Sequence, residues 1–300
     1  MNIEERIREL RRDRKAVILA HNYQLPEIQD IADFVGDSLN LSMKAAQTDA
    51  DMIVFCGVHF MAETAKILSP EKLVVLPDLS AGCPMADMID AGQLRELKKE
   101  HPGAGVVCYV NTTAEVKAEC DYCCTSANAE RVVRKMLERY EEIIFVPDKH
   151  LGHYVSQKVG RGFILWNGFC PTHARIMPEE ILKQKSLHPK ALVLAHPECT
   201  SEVLHLADQI LSTEGMCRFA ADSTADEFIV ATEVGILHRM GKLSPTKRFY
   251  PASDLAVCPN MKRINLEKVL RSLEEKVFEI TVPEEISSRA RAGIEKMLVL

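Results

Sequence analysis

The strongest chemical signal in this 300-residue sequence is a cysteine–proline pair that occurs three times at nearly equal spacing. The cysteines are Cys83, Cys170 and Cys258, separated by 87 residues (170 − 83) and 88 residues (258 − 170). Each pair follows a short apolar or aromatic run, so each is expected on a loop just past a strand. Because thiolates are good ligands for transition metals and iron–sulfur clusters, the spacing predicts that three thiolates meet at one metal centre. The three runs are Leu73–Leu76, Phe163–Trp166 and Lys247–Tyr250.

Other landmarks keep the same period, which indicates an internal repeat. Three apolar strands lead to His21, Tyr109 and His196, at offsets of 88 and 87 residues (109 − 21 and 196 − 109). Each repeat alternates apolar strands with helix-like segments, a pattern typical of parallel strands covered by helices. The sequence therefore predicts an α/β protein made of three copies of one unit, each with about four parallel strands. Three hydroxyl residues share the period: Ser38, Ser126 and Thr213.

The period divides the chain into three α/β repeats, predicted at residues 1–87, 88–175 and 176–262, and a tail at residues 263–300. No Gly/Ser-rich linker separates them, so one compact body is expected. The tail is expected to pack back on the first repeat. It is predicted to hold a helix over Leu266–Lys276, a strand over Val277–Val282 and a helix from Glu284. Short buried strands are predicted at Asp33–Val35, Asp121–Cys123 and Asp208–Ile210.

Composition and charge exclude several classes of function. The formal net charge is −6 and no long basic run is present, so nucleic acid is not an expected partner. The N-terminus lacks the apolar core of a signal peptide, and no apolar run approaches the ~20 residues of a membrane span. We therefore expect a cytoplasmic protein. Ten cysteines in such a protein favour metal or redox chemistry over disulfides. Four of them are interpreted as packing residues: Cys56, Cys108, Cys199 and Cys217.

Polar residues follow the first strand of each repeat, where parallel α/β sheets bind ligands. Histidine, tyrosine and glutamate can act as general acids or bases. In one repeat alone, such a residue would more simply cap the following helix. Because three repeats are expected to converge, we favour a common site. The residues are His21, Asn22, Tyr23, Tyr109, Asn111, His196 and Glu198.

The three hydroxyl residues stand where a short strand gives way to a helix. A helix N-terminus with a hydroxyl and free N–H groups is an anion site. For Ser38, Ser126 and Thr213 the alternative is simple N-capping, which is at least as probable for any one of them alone.

The spacing of the cysteines does not match common metal motifs. Structural zinc sites use close Cys-x₂₋₄-Cys pairs, and ferredoxin spacing is absent. The local cluster Cys120-x-x-Cys123-Cys124 belongs to a single repeat, so it is not predicted as a ligand set. Three cysteines on a [4Fe–4S] cluster would leave one iron open as a Lewis acid. His173, three residues after Cys170, could line this site or satisfy the loop backbone, and we favour the site.

Several motifs together resemble the quinolinate synthase family over essentially the whole chain. The resemblance implies three similar parallel-sheet α/β domains with pseudo-threefold symmetry around a central, oxygen-sensitive [4Fe–4S] cluster. It implies that iminoaspartate and dihydroxyacetone phosphate condense to quinolinate with loss of phosphate and water, in NAD biosynthesis. An aspartate-oxidising enzyme that supplies iminoaspartate is an implied partner. The motifs are residues 20–24 (Ala-His-Asn-Tyr-Gln), 36–38 (Gly-Asp-Ser), 83–86 (Cys-Pro-Met-Ala), 109–115 (Tyr-Val-Asn-Thr-Thr-Ala-Glu), 125–128 (Thr-Ser-Ala-Asn) and 196–199 (His-Pro-Glu-Cys).

The resemblance also implies roles for individual residues. Cys83, Cys170 and Cys258 would bind the cluster. Some family members carry a second cysteine three residues after the third ligand, but this chain has Met261 there, so a regulatory disulfide is not expected. The implied catalytic residues are Tyr23, Tyr109, His196 and Glu198. The implied substrate-binding residues are His21, Ser38, Tyr109, Val110, Asn111, Ser126, His173, His196, Pro197, Glu198 and Thr213.

Two other classes of function stay open on the sequence alone. One is a different iron–sulfur hydro-lyase that acts on another hydroxy acid. The other is an iron–sulfur electron carrier or sensor, which would have no need of histidine, tyrosine and glutamate at the strand ends.

Overall fold

The chain was analysed as a computed structural model that describes residues 2–300. Within these residues, twelve strands form three four-stranded sheets in which all neighbouring strands are parallel. This confirms the predicted α/β class with about four parallel strands per repeat. No helix in the described residues combines the length and apolar character needed to cross a bilayer.

The first sheet has the strand order β2-β1-β3-β4. Its strands are β1 (Ala16–His21), β2 (Phe34–Gly36), β3 (Met52–Cys56) and β4 (Leu73–Val75). The helices along this part of the chain are α1 (Ile3–Asp13), α2 (Pro26–Ile31), α3 (Ser38–Gln47) and α4 (His59–Leu68).

The second and third sheets repeat this order as β6-β5-β7-β8 and β10-β9-β11-β12. The second contains β5 (Gly105–Tyr109), β6 (Tyr122–Cys124), β7 (Ile143–Val146) and β8 (Ile164–Leu165), with α5 (Ala91–Glu100), α6 (Ala114–Lys117), α7 (Ala129–Met136) and α8 (Lys149–Val159). The third contains β9 (Leu192–Ala195), β10 (Gln209–Ile210), β11 (Glu227–Ala231) and β12 (Arg248–Pro251), with α9 (Pro178–Leu187), α10 (Ser201–His205), α11 (Thr213–Asp222) and α12 (Ile236–Leu243).

Burial explains which strand predictions succeed. Every residue of the inner strands β3, β5 and β7 is buried, as expected for parallel strands covered by helices on both faces. The short strands after α2, α6 and α10 exist, but the prediction that all are buried is wrong. β2, β6 and β10 all lie at sheet edges, but only β6 has most of its residues buried. The helix Glu284–Leu298 packs on β6, whereas Phe34 of β2 is 39% exposed.

An aspartate links the first and second strands of every sheet. The Asp121 carboxylate accepts a hydrogen bond from the buried Val106 N–H at 2.8 Å, and the Val106 carbonyl accepts one from the Asp121 N–H at 3.1 Å. Asp33 and Asp208 make the same pair of bonds with Ile18 and Val193. These bonds fix the start of each inner strand, and thus the position at which its carboxyl end emerges.

The tail contains α13 (Leu266–Glu275) and α14 (Glu284–Leu298). α13 packs on α1 and β3, whereas α14 packs on α4 and also on α6 and β6. The strand predicted over Val277–Val282 is wrong. This segment makes one antiparallel bridge, between Glu279 and Val75, because β4 offers only three residues for pairing. The repeat boundaries themselves stay a prediction.

Removing the carboxylate of Asp121 should destabilise the fold. We expect Asp121→Ala to lower the free energy of unfolding by about 1–2 kcal/mol, because the buried Val106 N–H loses its partner. Denaturant unfolding measures the effect, and Asp49→Ala, at an exposed position, is the control. An Asp121→Ala variant as stable as the control would show that the strand starts are fixed by other contacts.

Candidate active site

One cavity collects side chains from loops that follow strands of all three sheets. It encloses about 1120 Å³ of empty space, counting its open mouth, which is room for a small molecule. Three predicted residues, Asn22, Val110 and Pro197, are buried but are not among the residues that line it. The predicted residues that do line it are His21, Tyr23, Ser38, Cys83, Tyr109, Asn111, Ser126, Cys170, His173, His196, Glu198, Thr213 and Cys258.

A buried carboxylate joins the second and third sheets inside this cavity. Glu198, in the loop after β9, is 4% exposed. It accepts a hydrogen bond from the Tyr109 hydroxyl at the end of β5. Its other oxygen lies 2.8 Å from Nδ1 of His173. His173 begins a short 3₁₀ turn (His173–Arg175) after Cys170, and its Nδ1 is also 3.1 Å from the Cys170 sulfur.

The environment sets the charge state of this group. Burial alone would raise the pKa of Glu198, but the neighbouring His173 and the Tyr109 hydroxyl hold it well below its usual range. Glu198 is therefore a carboxylate. Burial, followed by the Glu198 charge, raises the pKa of Tyr109 and of Tyr23 well above 10. Both tyrosines are therefore protonated near neutral pH.

Two further histidines are neutral. Burial lowers the pKa of His21 and of His196 to about 3. Nε2 of His196 lies 3.1 Å from the hydroxyl of Ser126, and the His196 ring stacks on His173 with 4.8 Å between centroids. Nδ1 of His196 accepts the Glu198 backbone N–H at 3.4 Å, so Nε2 carries the ring hydrogen and donates to Ser126 or to a ligand.

The predicted anion-binding hydroxyls are not helix caps. Asp37 caps α3 by accepting from the Asn40 N–H at 2.9 Å, which leaves Ser38 as the first helical residue. Ser212 caps α11 in the same way, next to Thr213. Ser126 lies in the turn before α7 and faces His196. The simple capping interpretation is wrong for these hydroxyls, and they are available to a ligand.

The sequence did not single out Thr232, which lies just past β11. Its hydroxyl is 2.6 Å from the Tyr23 hydroxyl and 2.8 Å from Nε2 of His173. The strand registers place Gly57 and Pro147 at the matching positions of the other sheets. Because neither has a hydrogen-bonding side chain, the repeat itself concealed this position.

Two sets of residues could hold a metal. Ligand atoms of Cys170, His173 and Glu198 all lie within 4.8 Å of one another, which suits a single ion. The sulfurs of Cys83, Cys170 and Cys258 do not all fall within that distance. Burial raises the pKa of all three thiols. All ten cysteines are free, which agrees with the prediction of no disulfide framework.

Buried acid–base groups, hydroxyls and cysteines in one cavity are typical of an enzyme's active site. The chain matches the family described as quinolinate synthetase A protein over residues 5–299, and it belongs to that family. A relative from Desulforudis audaxviator, named quinolinate synthase, is 58% identical over 294 residues, covering 98% of this chain and 97% of the relative. Relatives of the same name from Dehalococcoides mccartyi and Methanosarcina barkeri are 55% and 54% identical over 296 residues, each covering 99% of this chain and 97% of the relative.

Mutation to alanine distinguishes a helix cap, such as Ser212 before α11, from a hydroxyl that binds substrate, such as Ser38 at the start of α3. We expect Ser38→Ala to change the free energy of unfolding by no more than about 0.5 kcal/mol while impairing substrate binding. Ser212→Ala, which removes a true cap, should cost about 1 kcal/mol. Denaturant unfolding and steady-state kinetics measure the two effects. A Ser38→Ala variant with an unchanged KM would assign no ligand to this hydroxyl.

Proposed function

We propose that this enzyme is a quinolinate synthase, which condenses iminoaspartate with dihydroxyacetone phosphate to quinolinate and releases phosphate and water in de novo NAD biosynthesis. Family membership over residues 5–299 supports the proposal. The observation that carries it furthest is the ionised Glu198, held between Tyr109 and His173 in the cavity that Cys83, Cys170 and Cys258 also line. An aspartate-oxidising enzyme is the proposed source of iminoaspartate.

The cavity offers binding groups for anions that match these substrates. Iminoaspartate brings two carboxylates and dihydroxyacetone phosphate brings a phosphate. Ser38 and Thr213 are the first residues of α3 and α11, where free N–H groups and the helix dipole favour negative charge. Thr213 already accepts a hydrogen bond from the Asn22 side chain at 2.7 Å, so its hydroxyl hydrogen can point to a ligand.

The proposed cofactor is a [4Fe–4S] cluster bound by Cys83, Cys170 and Cys258. All three cysteines line the same cavity, where a cluster with three protein ligands would have to lie. When bound, a cluster with three protein ligands supplies an open iron that acts as a Lewis acid.

Hydrogen bonding to the substrates falls to the residues around Glu198. Tyr23 is protonated and can donate a hydrogen bond to a leaving hydroxyl or to an oxygen that gains charge. Glu198 accepts the hydrogen of the Tyr109 hydroxyl and aligns His173 through its other oxygen. Thr232 aligns the Tyr23 hydroxyl. The neutral His196 is a hydrogen-bond donor beside Ser126.

A second candidate is a hydro-lyase that uses a single metal ion on another hydroxy acid. The close approach of Cys170, His173 and Glu198 favours it. In that case Cys83 and Cys258 would not be ligands, which separates the two candidates.

Anaerobic reconstitution with iron and sulfide tests the proposal. We expect the protein to develop iron–sulfur absorption and to form quinolinate from the two substrates. Cys83→Ser and Cys258→Ser should each lose both properties, because each removes a cluster ligand. Cys124→Ser, which changes a buried cysteine of β6 that does not line the cavity, should keep both. A fully active Cys83→Ser variant would exclude the three-cysteine cluster. A parent protein that binds one iron and makes no quinolinate would favour the single-ion candidate.

A further inference from the structure

A second buried carboxylate lies behind the cysteine loop of the third sheet. Glu233, two residues past β11, is 0% exposed. One of its oxygens accepts the backbone N–H of Gly235 at 2.7 Å. The other accepts the backbone N–H of Cys258 at 3.1 Å. Glu233 thus holds the cysteine loop through its main chain.

A lysine pairs with this carboxylate and reaches the first sheet. Nζ of Lys262, in the 3₁₀ turn Met261–Arg263, lies 2.9 Å from the same Glu233 oxygen that accepts Cys258 N–H. It also donates a hydrogen bond to the backbone carbonyl of Tyr23, in the loop after β1. One ion pair therefore connects the Cys258 loop with the Tyr23 backbone.

Two adjacent residues of one loop hold Tyr23 at both ends. Thr232 contacts its hydroxyl at 2.6 Å, while Glu233, through Lys262, fixes its carbonyl. Gln29 adds a third support, because its amide donates to the carbonyls of Gln24, at 2.9 Å, and Gly235, at 2.8 Å. The Tyr23 side chain is consequently set relative to β11 and not only relative to its own strand.

The arrangement is not a general requirement of the fold. A backbone hydrogen bond before each cysteine is common to all three repeats. In the third repeat the Val234 N–H donates to the Ala256 carbonyl at 3.0 Å, and residues 59 and 81 and residues 149 and 168 make the equivalent bonds. The strand registers match Glu233 with Asp148 and Val58. Asp148 instead caps the following helix by accepting the Leu151 N–H at 2.8 Å, and Val58 has no carboxylate.

The lysine is peculiar to the third repeat. The 87- and 88-residue offsets place Ala174 and Asp87 where the third repeat has Lys262. A buried ion pair is weak evidence for a contribution to stability, since desolvation offsets the attraction of its charges. Its presence where the third cysteine loop meets the Tyr23 backbone points to geometry as its role.

We propose that Glu233 and Lys262 are positioning residues that lock the Cys258 loop to the Tyr23 segment, so that the third cysteine and the tyrosine keep a fixed separation. The role of Tyr23 and of Cys258 in this inference rests on the proposed function. The lock itself is a property of the protein without cofactor, and this allows an independent test.

The test uses three variants: Lys262→Met, Glu233→Gln and the double variant that carries both changes. Each is compared with the control variant Lys268→Met. Lys268 is the matched control, because it makes a 2.6 Å ion pair with Asp78 and contacts neither Tyr23 nor Cys258. The double variant leaves no unpaired buried charge, so it remains informative if a single variant fails to fold. Lys262→Arg keeps the positive charge and a hydrogen-bond donor, so it should behave more like the parent protein than Lys262→Met does.

In cofactor-free protein, amide exchange over residues 256–260 should become about tenfold faster in the test variants and stay unchanged in Lys268→Met. In reconstituted protein, iron release to a chelator should accelerate. Because Tyr23 is misplaced, kcat should fall by about tenfold or more while KM changes little. Unchanged exchange, iron release and kcat in a folded double variant would overturn the proposal. If the parent protein makes no quinolinate, the exchange measurement still decides whether the lock exists.

Discussion

The site depends on keeping the Glu198 carboxylate ionised in a place that water hardly reaches. An isolated buried charge would be very unfavourable, so the carboxylate needs strong partners. Its partners are the Tyr109 hydroxyl, from the second sheet, and His173, from the loop after Cys170. His173 in turn contacts Thr232, past β11. Satisfying one charge therefore fixes the second and third sheets and one cysteine loop relative to one another.

Much of the fold could be predicted because its signals are local and repeated. The apolar runs of β3 and β7 have the length and composition of buried strands, and the period showed that they recur. The failures concern segments whose structure depends on neighbours. Phe34 is apolar but lies on an edge strand, and the segment around Glu279 finds only a three-residue partner in β4. Sequence pattern alone does not show how many strands are beside a segment.

The candidate site could be predicted where a residue recurs in register, as at the strand ends and the Cys-Pro loops. It could not be predicted where the three repeats differ. Thr232 and Glu233 act together on Tyr23. The positions that match Thr232 carry Gly57 and Pro147, and those that match Glu233 carry Val58 and Asp148. Lys262 likewise has no counterpart. At such positions one repeat carries a function that the other two do not share.

In the proposed function the three cysteine loops hold one iron–sulfur cluster with an iron open to substrate. Mössbauer spectroscopy of protein reconstituted anaerobically with isotopically enriched iron, with and without dihydroxyacetone phosphate, is the decisive test. We expect a [4Fe–4S] spectrum in which one iron differs from the rest and changes alone when the substrate is added. A single mononuclear iron per chain, or a cluster whose irons all ignore the substrate, would contradict it.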